Sequence, residues 1–538
     1  MFRKFLPFFV VVSIVTCTAE EQKTLHQKRM ERHKETHEVK SKVMNFCGDK
    51  KIPRQTVNED EQKFGDLRGC YGKGLKHDST GFINKKSYES LKKAIESNNP
   101  ETFENILIGE GIRKLKNPQG GLPFSLAAND GWINTIRPAP EFDSAEIAGE
   151  MVELYWSVFV RDTPFNGFER DPTVALAVKE LNSMSDFRGP KLNGEVTPST
   201  FLRGLTKGDL IGPYISQFHY QTIPTGIFQQ NPEQLVPVAG RENDYLVTFD
   251  DWYEVINGGV TGKQTKFENE KQFIRTPRDL AEFVHRDYPG QVFFSALLYL
   301  QSYGTDALDI NNPYLSSQNQ AGFVSFGLPH VIELLAEAIE ESLKAAWYQK
   351  WDVHRRLRPE EFGFYLQKQA VDKLPMNIHS DLTKSQVVKK IHEIYGSYLL
   401  PQAYPEGSPI HPSYPAGHAV VAGASATILK AFFNEEVLVK NPVQPDITNK
   451  RLVPYNGNLK VGDELNKLAF NEALGRDHAG VHYRSDSTEG ITLGEKVAID
   501  VLENNAFLNS EKFEGFNLTK FDGTKVKIGG KMNTNKSE

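Results

Sequence analysis

The segment 419–433 constrains the fold of this chain most, because almost every residue in it is small or apolar. A helix that is apolar on all sides is buried inside a protein, so we expect a central helix here. Segments 145–161 and 331–351 carry apolar residues three and four positions apart, which predicts amphipathic helices, and 491–502 predicts another helix. Strand signals are sparse, with one candidate hairpin at 245–258. We therefore predict an all-α architecture of helical bundles with long loops and at most a minor hairpin.

The size and composition of the chain favour a globular protein with a large core. It has 538 residues, 39% of them hydrophobic, and 34 phenylalanines, enough for two or more packing units. The net charge of -6 provides no general polycation, so we expect no nucleic-acid partner. The sequence predicts a polar, partly flexible N-terminal region over 20–110. A helical body follows over 111–538, with the active site in 345–490.

Residues 1–19 resemble a secretory signal. Arg3 and Lys4 form a basic start, an apolar core of eleven residues follows at 5–15, and small residues precede a cleavage point after Ala19. A membrane anchor is less favoured, because a span needs about 20 apolar residues. We expect a secreted, periplasmic or extracellular protein without membrane contact once the signal is removed.

Three cysteines occur in the sequence, and Cys17 would leave with the signal. In an oxidising compartment, Cys47 and Cys70 could pair and close an N-terminal loop. Two unpaired thiols are the alternative, and the sequence leaves both open.

The first of three blocks that carry chemistry runs from Lys350 to Pro359. On one helix, residues eight apart lie about 80° apart around the axis, so Lys350 and Arg358 could reach one pocket before Pro359 ends the helix. Arginine offers a planar fork to two oxygens of an oxyanion, and lysine offers a compact charge. The alternative is a basic helix end that complements its own dipole.

The second block, His411 to His418, immediately precedes the predicted buried helix. The N-terminus of a helix binds anions, and Gly417 would let the backbone approach the anion closely. His418 could exchange a proton near neutral pH. A turn with a capping histidine is the alternative.

The third block contains Arg476, His478, His482 and Asp486. The two histidines are four residues apart, a spacing that suits a zinc pair on a helix. An oxyanion is favoured over zinc, because the nearby charge is positive and no glutamate stands between the histidines. Asp486 is placed to accept a hydrogen bond from a histidine ring and to fix its tautomer. A surface helix end with solvated histidines is the alternative.

Together the three blocks predict a pocket for a small tetrahedral anion such as vanadate or phosphate. They resemble the signature of vanadium-dependent haloperoxidases, which also occurs in type-2 phosphatidic acid phosphatases. The spacing and the order of residues in these blocks are most similar to the algal and bacterial bromoperoxidase branch. Segments 153–165 and 208–218 also resemble that branch. The similarity spans about residues 140–505.

The resemblance implies a vanadate cofactor and two four-helix bundles. It assigns the equatorial oxygens of vanadate to Lys350, Arg358, Gly417 and Arg476. His482 would be the covalent ligand, and His418 the acid–base group that helps to deprotonate hydrogen peroxide with Lys350 polarising it. His411 would favour bromide or iodide over chloride. The implied partners are hydrogen peroxide, a halide, an organic acceptor and further copies of the chain in a homo-oligomer.

Two positions depart from the family pattern, which has serine at both. Ala416 precedes Gly417, and Gly475 precedes Arg476. Alanine at 416 would lack the hydrogen bond from the serine hydroxyl to vanadate, a loss of about 0.5–1.5 kcal/mol in binding free energy. We expect both replacements to affect cofactor affinity and halide preference. We expect Ala416, His478 and Asp486 to lie directly behind the groups that bind the cofactor.

A secreted acid phosphatase is the alternative function for the same pocket. There His482 would attack phosphorus and His418 would protonate the leaving group. A requirement for vanadate distinguishes the two.

Overall fold

The computed structural model describes residues 24–48, 50–97, 99–226, 232–446 and 451–529. The chain divides into two compact units, Met1–Asp49 and Lys50–Glu538. In the smaller unit the described residues form helix α1 (Leu25–Gly48), with mostly exposed side chains. The predicted signal at 1–19 and the side chain of Cys47 lie outside the described residues.

The described part of the larger unit is mainly helical. Its α-helices are α2 (Asp60–Lys63), α3 (Lys85–Ser97), α4 (Pro100–Phe103), α5 (Ala145–Val160), α6 (Pro172–Leu181), α7 (Phe249–Ile256), α8 (Pro277–Arg286), α9 (Gln291–Gln301), α10 (Leu328–Tyr348), α11 (Pro359–Ala370), α12 (Ser380–Thr383), α13 (Gln386–Tyr395), α14 (Gly417–Phe432), α15 (Val461–His478) and α16 (Arg484–Leu508). Strands β1 (Val443–Pro445) and β2 (Leu452–Pro454) pair antiparallel, as do β3 (Phe516–Thr519) and β4 (Lys525–Ile528). The all-α prediction is confirmed, with two short hairpins. No helix in these ranges is long and apolar enough to cross a membrane.

The segment predicted as a central helix is α14, which packs against α10, α15 and α16. Glycines let α14 and α16 cross closely. A Cβ at Gly494 would lie 2.0 Å from the carbonyl oxygen of Val420, and one at Gly423 would lie 2.3 Å from that of Ile491. This crossing holds the first turn of α14, which carries Gly417 and His418 at the end of the second block, beside the first turn of α16, which carries Asp486.

A second hydrophobic core forms around α5, which packs against α6, α12 and α13. The segment before residue 110 also contributes to the larger unit, since Lys73 Nζ lies 2.5 Å from Glu360 Oε1 in a buried ion pair. Cys70 is a buried free thiol, and burial raises its pKa to about 12.

The hairpin predicted at 245–258 is wrong. Residues Phe249–Ile256 form α7, whose first turn is capped by the hydroxyl of Thr248 accepting from the backbone N–H of Asp251. Trp252, Val255 and Ile256 are buried on one face of this helix. Capping and burial at helical spacing override the strand preference of the aromatic and β-branched residues.

The single helix predicted across Lys350 and Arg358 is also wrong. Helix α10 gives way to a π-helical turn at Gln349–His354, and the chain then reverses at Arg355, which has φ 41°. Arg358 is the N-cap of α11, and Pro359 begins that helix. A proline suits the first helical position because it has no N–H to leave unpaired, so here it starts a helix and does not end one.

Candidate active site

A cavity of about 170 Å³ lies among α9, α10, α14, α15 and the α8–α9 loop. The structure brings five of the predicted residues to its wall: His411, Gly417, His418, Arg476 and His482. Apolar side chains that sequence reasoning did not assign form another part of the wall: Phe293, Leu343, Trp347 and Val421. Lys350 and Arg358 lie behind this wall, where Arg358 contacts His411 and His482 and Lys350 contacts the backbone of Pro412 and Ser413. The cavity wall therefore has both polar and apolar parts.

His482 lies in the loop between α15 and α16, and its tautomer is fixed by Asp486. The distance from His482 Nδ1 to Asp486 Oδ2 is 2.8 Å. Asp486 also accepts from Arg356 Nη1 at 2.7 Å and from the hydroxyl of Ser413. Because an ionised carboxylate can only accept, Nδ1 carries the proton and Nε2 keeps a lone pair.

Arg358 is fully buried and touches two of the three histidines of the cavity wall. Its Nη1 donates to His482 Nε2 at 2.9 Å, and its Nη2 lies 3.0 Å from His411 Nδ1. Its other hydrogen bonds go to the backbone carbonyls of His411 and Val481. None of the described carboxylates forms an ion pair with it, and burial lowers its pKa to about 10. Its charge is therefore left for an incoming anion.

Lys350 is held in the same way. Its Nζ donates to the backbone oxygens of Pro412 at 2.8 Å and Ser413 at 2.9 Å. An ammonium has three donors, so one N–H is left over. Burial, and then the charge of Arg358, hold the pKa of Lys350 well below its ordinary value. A bound anion would favour the charged form of Lys350.

Arg476, in the last turn of α15, presents a free donor. Its Nη1 donates to the backbone oxygen of Val284 at 2.9 Å, and its guanidinium lies 5.3 Å from the ring centre of Tyr404. Its Nε is buried, and no acceptor among the described residues reaches it. A buried donor without a partner is costly, so this atom favours an anionic ligand.

Helix α14 begins at Gly417, with Ala416 as its N-cap. His418 follows, and its Nε2 lies 3.1 Å from Asp287 Oδ1. The carboxylate of Asp287 accepts there, so Nε2 carries the proton and Nδ1 is the nitrogen free to accept one. The His418 side chain is 30% exposed, which lets it meet a small substrate.

His411 and His482 do not supply the positive charge of the cavity. Burial, followed by the nearby cations, holds the pKa values of His411 and His482 well below their ordinary range. Both rings are therefore neutral at neutral pH. The charge comes from Lys350, Arg358 and Arg476, a set suited to a small tetrahedral oxyanion.

His478 and His482, the candidate zinc pair, do not face a common site. His478 is the last residue of α15 and turns away from the cavity, with its Nε2 3.0 Å from the hydroxyl of Tyr214. Burial lowers its pKa to about 3. Across the described ranges, no three His, Cys, Asp or Glu side chains are grouped to hold a metal ion.

The two departures from the family pattern face protein, not the cavity wall. A Cβ at Gly475 would lie 2.8 Å from Val284 Cγ2, so close packing of α15 on α8 excludes a side chain there. Ala416 is fully buried within the hydrophobic core around α14.

Sequence reasoning missed Asp287 and Glu472, two acidic residues of the cavity wall. Asp287 follows α8 in a loop without a motif. Glu472 lies four residues before Arg476 on α15, so helical spacing could have revealed it. Trp347, three residues before Lys350, could have been found in the same way.

Comparisons with known proteins agree with this site. Residues 330–510 match the family described as the VCPO second helical-bundle domain. A vanadium-dependent bromoperoxidase from Ascophyllum nodosum is 32% identical over 492 residues, covering 86% of this chain and 87% of that protein. One from Corallina officinalis is also 32% identical, covering 85% and 90%. The homohexameric second vanadate-dependent bromoperoxidase of Ascophyllum nodosum superposes with a TM-score of 0.88 at 27% identity, covering 98% and 95%.

The helical fold, the cationic cavity and these matches define a vanadium-dependent haloperoxidase. Within that class, the chain belongs to the vanadium-dependent bromoperoxidases, enzymes of the bromide peroxidase type. The resemblance inferred from the three blocks is confirmed.

Proposed function

We propose that this protein binds vanadate and uses hydrogen peroxide to oxidise bromide, and also iodide, to hypohalite-type halogenating species. One observation carries the proposal. Three buried cations without carboxylate partners among the described residues surround His482, whose Nε2 keeps a lone pair. Such a site stabilises an oxyanion and offers it one nitrogen ligand.

The residues present fit vanadate. Its negative oxygens would meet the free N–H of Lys350, the guanidinium groups of Arg358 and Arg476, and the backbone of Gly417 at the start of α14. His482 Nε2 would be the covalent ligand. When bound, vanadate supplies a Lewis acid that activates hydrogen peroxide toward halide.

Proton transfer falls to His418. Asp287 holds the proton on Nε2, so Nδ1 can take a proton from hydrogen peroxide and later return it. Lys350 would polarise the hydrogen peroxide. The overall reaction consumes peroxide, halide and one proton and yields hypohalous acid and water. His411, whose ring centre lies 5.0 Å from that of Trp347, would meet the halide at the apolar wall, before an organic acceptor is halogenated in solution.

The test is to incubate the purified protein with orthovanadate, dialyse it, and assay bromination of an organic acceptor. We expect bromination that requires vanadate, and loss of nearly all of it in His482→Ala, because the nitrogen ligand is gone. His392→Ala, an exposed histidine on α13, is the control and should match the wild type. Full activity in His482→Ala would refute the assignment. Hydrolysis of an aryl phosphate without vanadate, and no bromination, would favour the phosphatase.

We also propose that the protein is exported and forms a homo-oligomer. Export rests on the signal-like sequence of residues 1–19, and assembly on the homohexameric relative. Light scattering on the purified protein would measure its mass in solution, and a monomer at all concentrations would contradict the assembly.

A further inference from the structure

Glu472 is an acidic side chain in the cavity wall that the proposed chemistry does not use. It lies on α15, one turn before Arg476, and is 3% exposed. Its Oε1 has no hydrogen-bond partner among the described residues, although His219 Nε2 lies 3.4 Å away. A buried carboxyl group inside a pocket for anions requires an explanation, because a second negative charge there would oppose anion binding.

Asp287 connects Glu472 to the acid–base group. The side chains of Glu472 and Asp287 are within hydrogen-bonding reach of each other, and Asp287 Oδ1 lies 3.1 Å from His418 Nε2. Asp287 is itself 3% exposed at the side chain. The three residues form a continuous chain from α15 through the α8–α9 loop to α14.

Two carboxyl groups in contact and away from water share a proton. Burial, and then the charge of Asp287, hold the pKa of Glu472 well above its ordinary value. Among the described residues, His219, His418 and Tyr404 also interact with this pair, and Arg476 lies in the same cavity wall. His219 is neutral, because burial lowers its pKa to about 3. Glu472 therefore keeps its proton at neutral pH and donates it to Asp287.

We propose that Glu472 is a positioning residue for His418: its carboxylic acid donates to Asp287 and so fixes the hydrogen bond between Asp287 and His418 Nε2. The inference rests on the acid–base role given to His418 in the proposed function. Donation from Glu472 holds the carboxylate of Asp287 in one orientation, with Oδ1 directed at His418 Nε2. Loss of the donor would release Asp287 from that orientation and leave the His418 ring without a fixed partner.

Two variants separate these effects. Glu472→Gln keeps a hydrogen-bond donor at every pH, whereas Glu472→Leu has a similar size and no donor. Asp463→Asn, on the first turn of the same helix and outside the cavity wall, is the matched control. Thermal unfolding of each variant establishes that it is folded.

The first readout is the infrared spectrum of the protein without vanadate at neutral pH. We expect the carbonyl band of one protonated carboxylic acid to disappear in Glu472→Gln and to stay in Asp463→Asn. An unchanged band in Glu472→Gln would overturn the proposal, because Glu472 would then be ionised. This readout is independent of enzymatic activity.

The second readout is the pH profile of kcat/KM for hydrogen peroxide in the vanadate-loaded enzyme. In Glu472→Leu kcat/KM should fall about tenfold, because the hydrogen bond that orients Asp287 toward His418 is lost. In Glu472→Gln kcat/KM at neutral pH should match the wild type, and the alkaline limb should extend upward because the amide does not ionise. Superposable profiles for all three proteins would overturn the positioning role. If the wild type shows no bromination, the proposed function fails, whereas the infrared band still decides whether Glu472 holds the proton.

Discussion

At the residue scale, neighbouring arginines have different roles because their partners differ. Arg355 pairs with Glu61 at 2.9 Å, and Arg356 pairs with Asp486 and with Glu150. Arg358, two residues further on, donates only to backbone carbonyls and histidine rings. Three of the four residues at 355–358 are arginines. Which of them is free to bind an anion is decided by their tertiary contacts and is not evident from the sequence.

Asp486 determines which nitrogen His482 offers, so its replacement tests the tautomer argument. The carboxylate of Asp486 accepts hydrogen bonds from His482 Nδ1, Arg356 and Ser413. In Asp486→Asn the amide has only one acceptor oxygen and no negative charge, so it cannot accept all three in the same way. We expect vanadate affinity to fall about 10–100-fold, as for partners that orient metal ligands in general. A vanadate titration of the dialysed protein measures it. Glu489→Gln, one turn further along α16, is the control, and equal affinities in the two variants would contradict the argument.

Lys350 gives a pH dependence of anion binding with a definite sign. Its pKa in the empty cavity is well below the ordinary value, and a bound anion would raise it. At alkaline pH, binding therefore takes up a proton, and affinity falls as pH rises.

Tungstate is a suitable ligand, because it is a tetrahedral dianion that remains ionised at alkaline pH. Titration calorimetry in two buffers of different ionisation enthalpy measures how many protons are taken up when it binds. Lys350→Met should show no uptake, because methionine does not titrate. Uptake that persists in Lys350→Met would assign the proton to another group.

At the scale of elements, the crossing of α14 and α16 aligns the second block with the third. Gly494→Ala would place a methyl group 2.0 Å from the backbone oxygen of Val420, so the helices must separate. We expect a loss of about 1–3 kcal/mol in the free energy of unfolding, measured with denaturant, and weaker vanadate binding. Gly167→Ala is the control, since its Cβ would have one neighbour at 4.0 Å. Unchanged stability in Gly494→Ala would contradict this role of the glycine.

The sequence predicted helices well where burial and spacing agree. The helices expected at 145–161 and 331–351 are α5 and α10, and that at 491–502 lies inside α16. Errors occurred where local signals conflicted with tertiary contacts. The aromatic residues of α7 suggested a strand, but the segment is a helix. The sequence after α10 favours a continued helix, but a π-helical turn at Gln349–His354 ends it.

At the scale of the whole molecule, a chain with a net charge of -6 builds a cavity with three buried cations in or behind its wall, none of them paired with a described carboxylate. The motifs predicted five residues of the wall, because cofactor chemistry restricts residue types at those positions. They did not predict Asp287, Glu472 or the apolar part of the wall, because these residues come from α8–α10, α14 and α15 through packing alone. Global charge therefore says little about what this site binds.

The most direct test of the account is a crystal structure of the protein soaked with vanadate. We predict vanadate in the cavity among α9, α10, α14 and α15, bonded to His482 Nε2, with Lys350, Arg358 and Arg476 on its oxygens. Vanadate bound elsewhere, or held in this cavity without a bond to His482, would contradict the account.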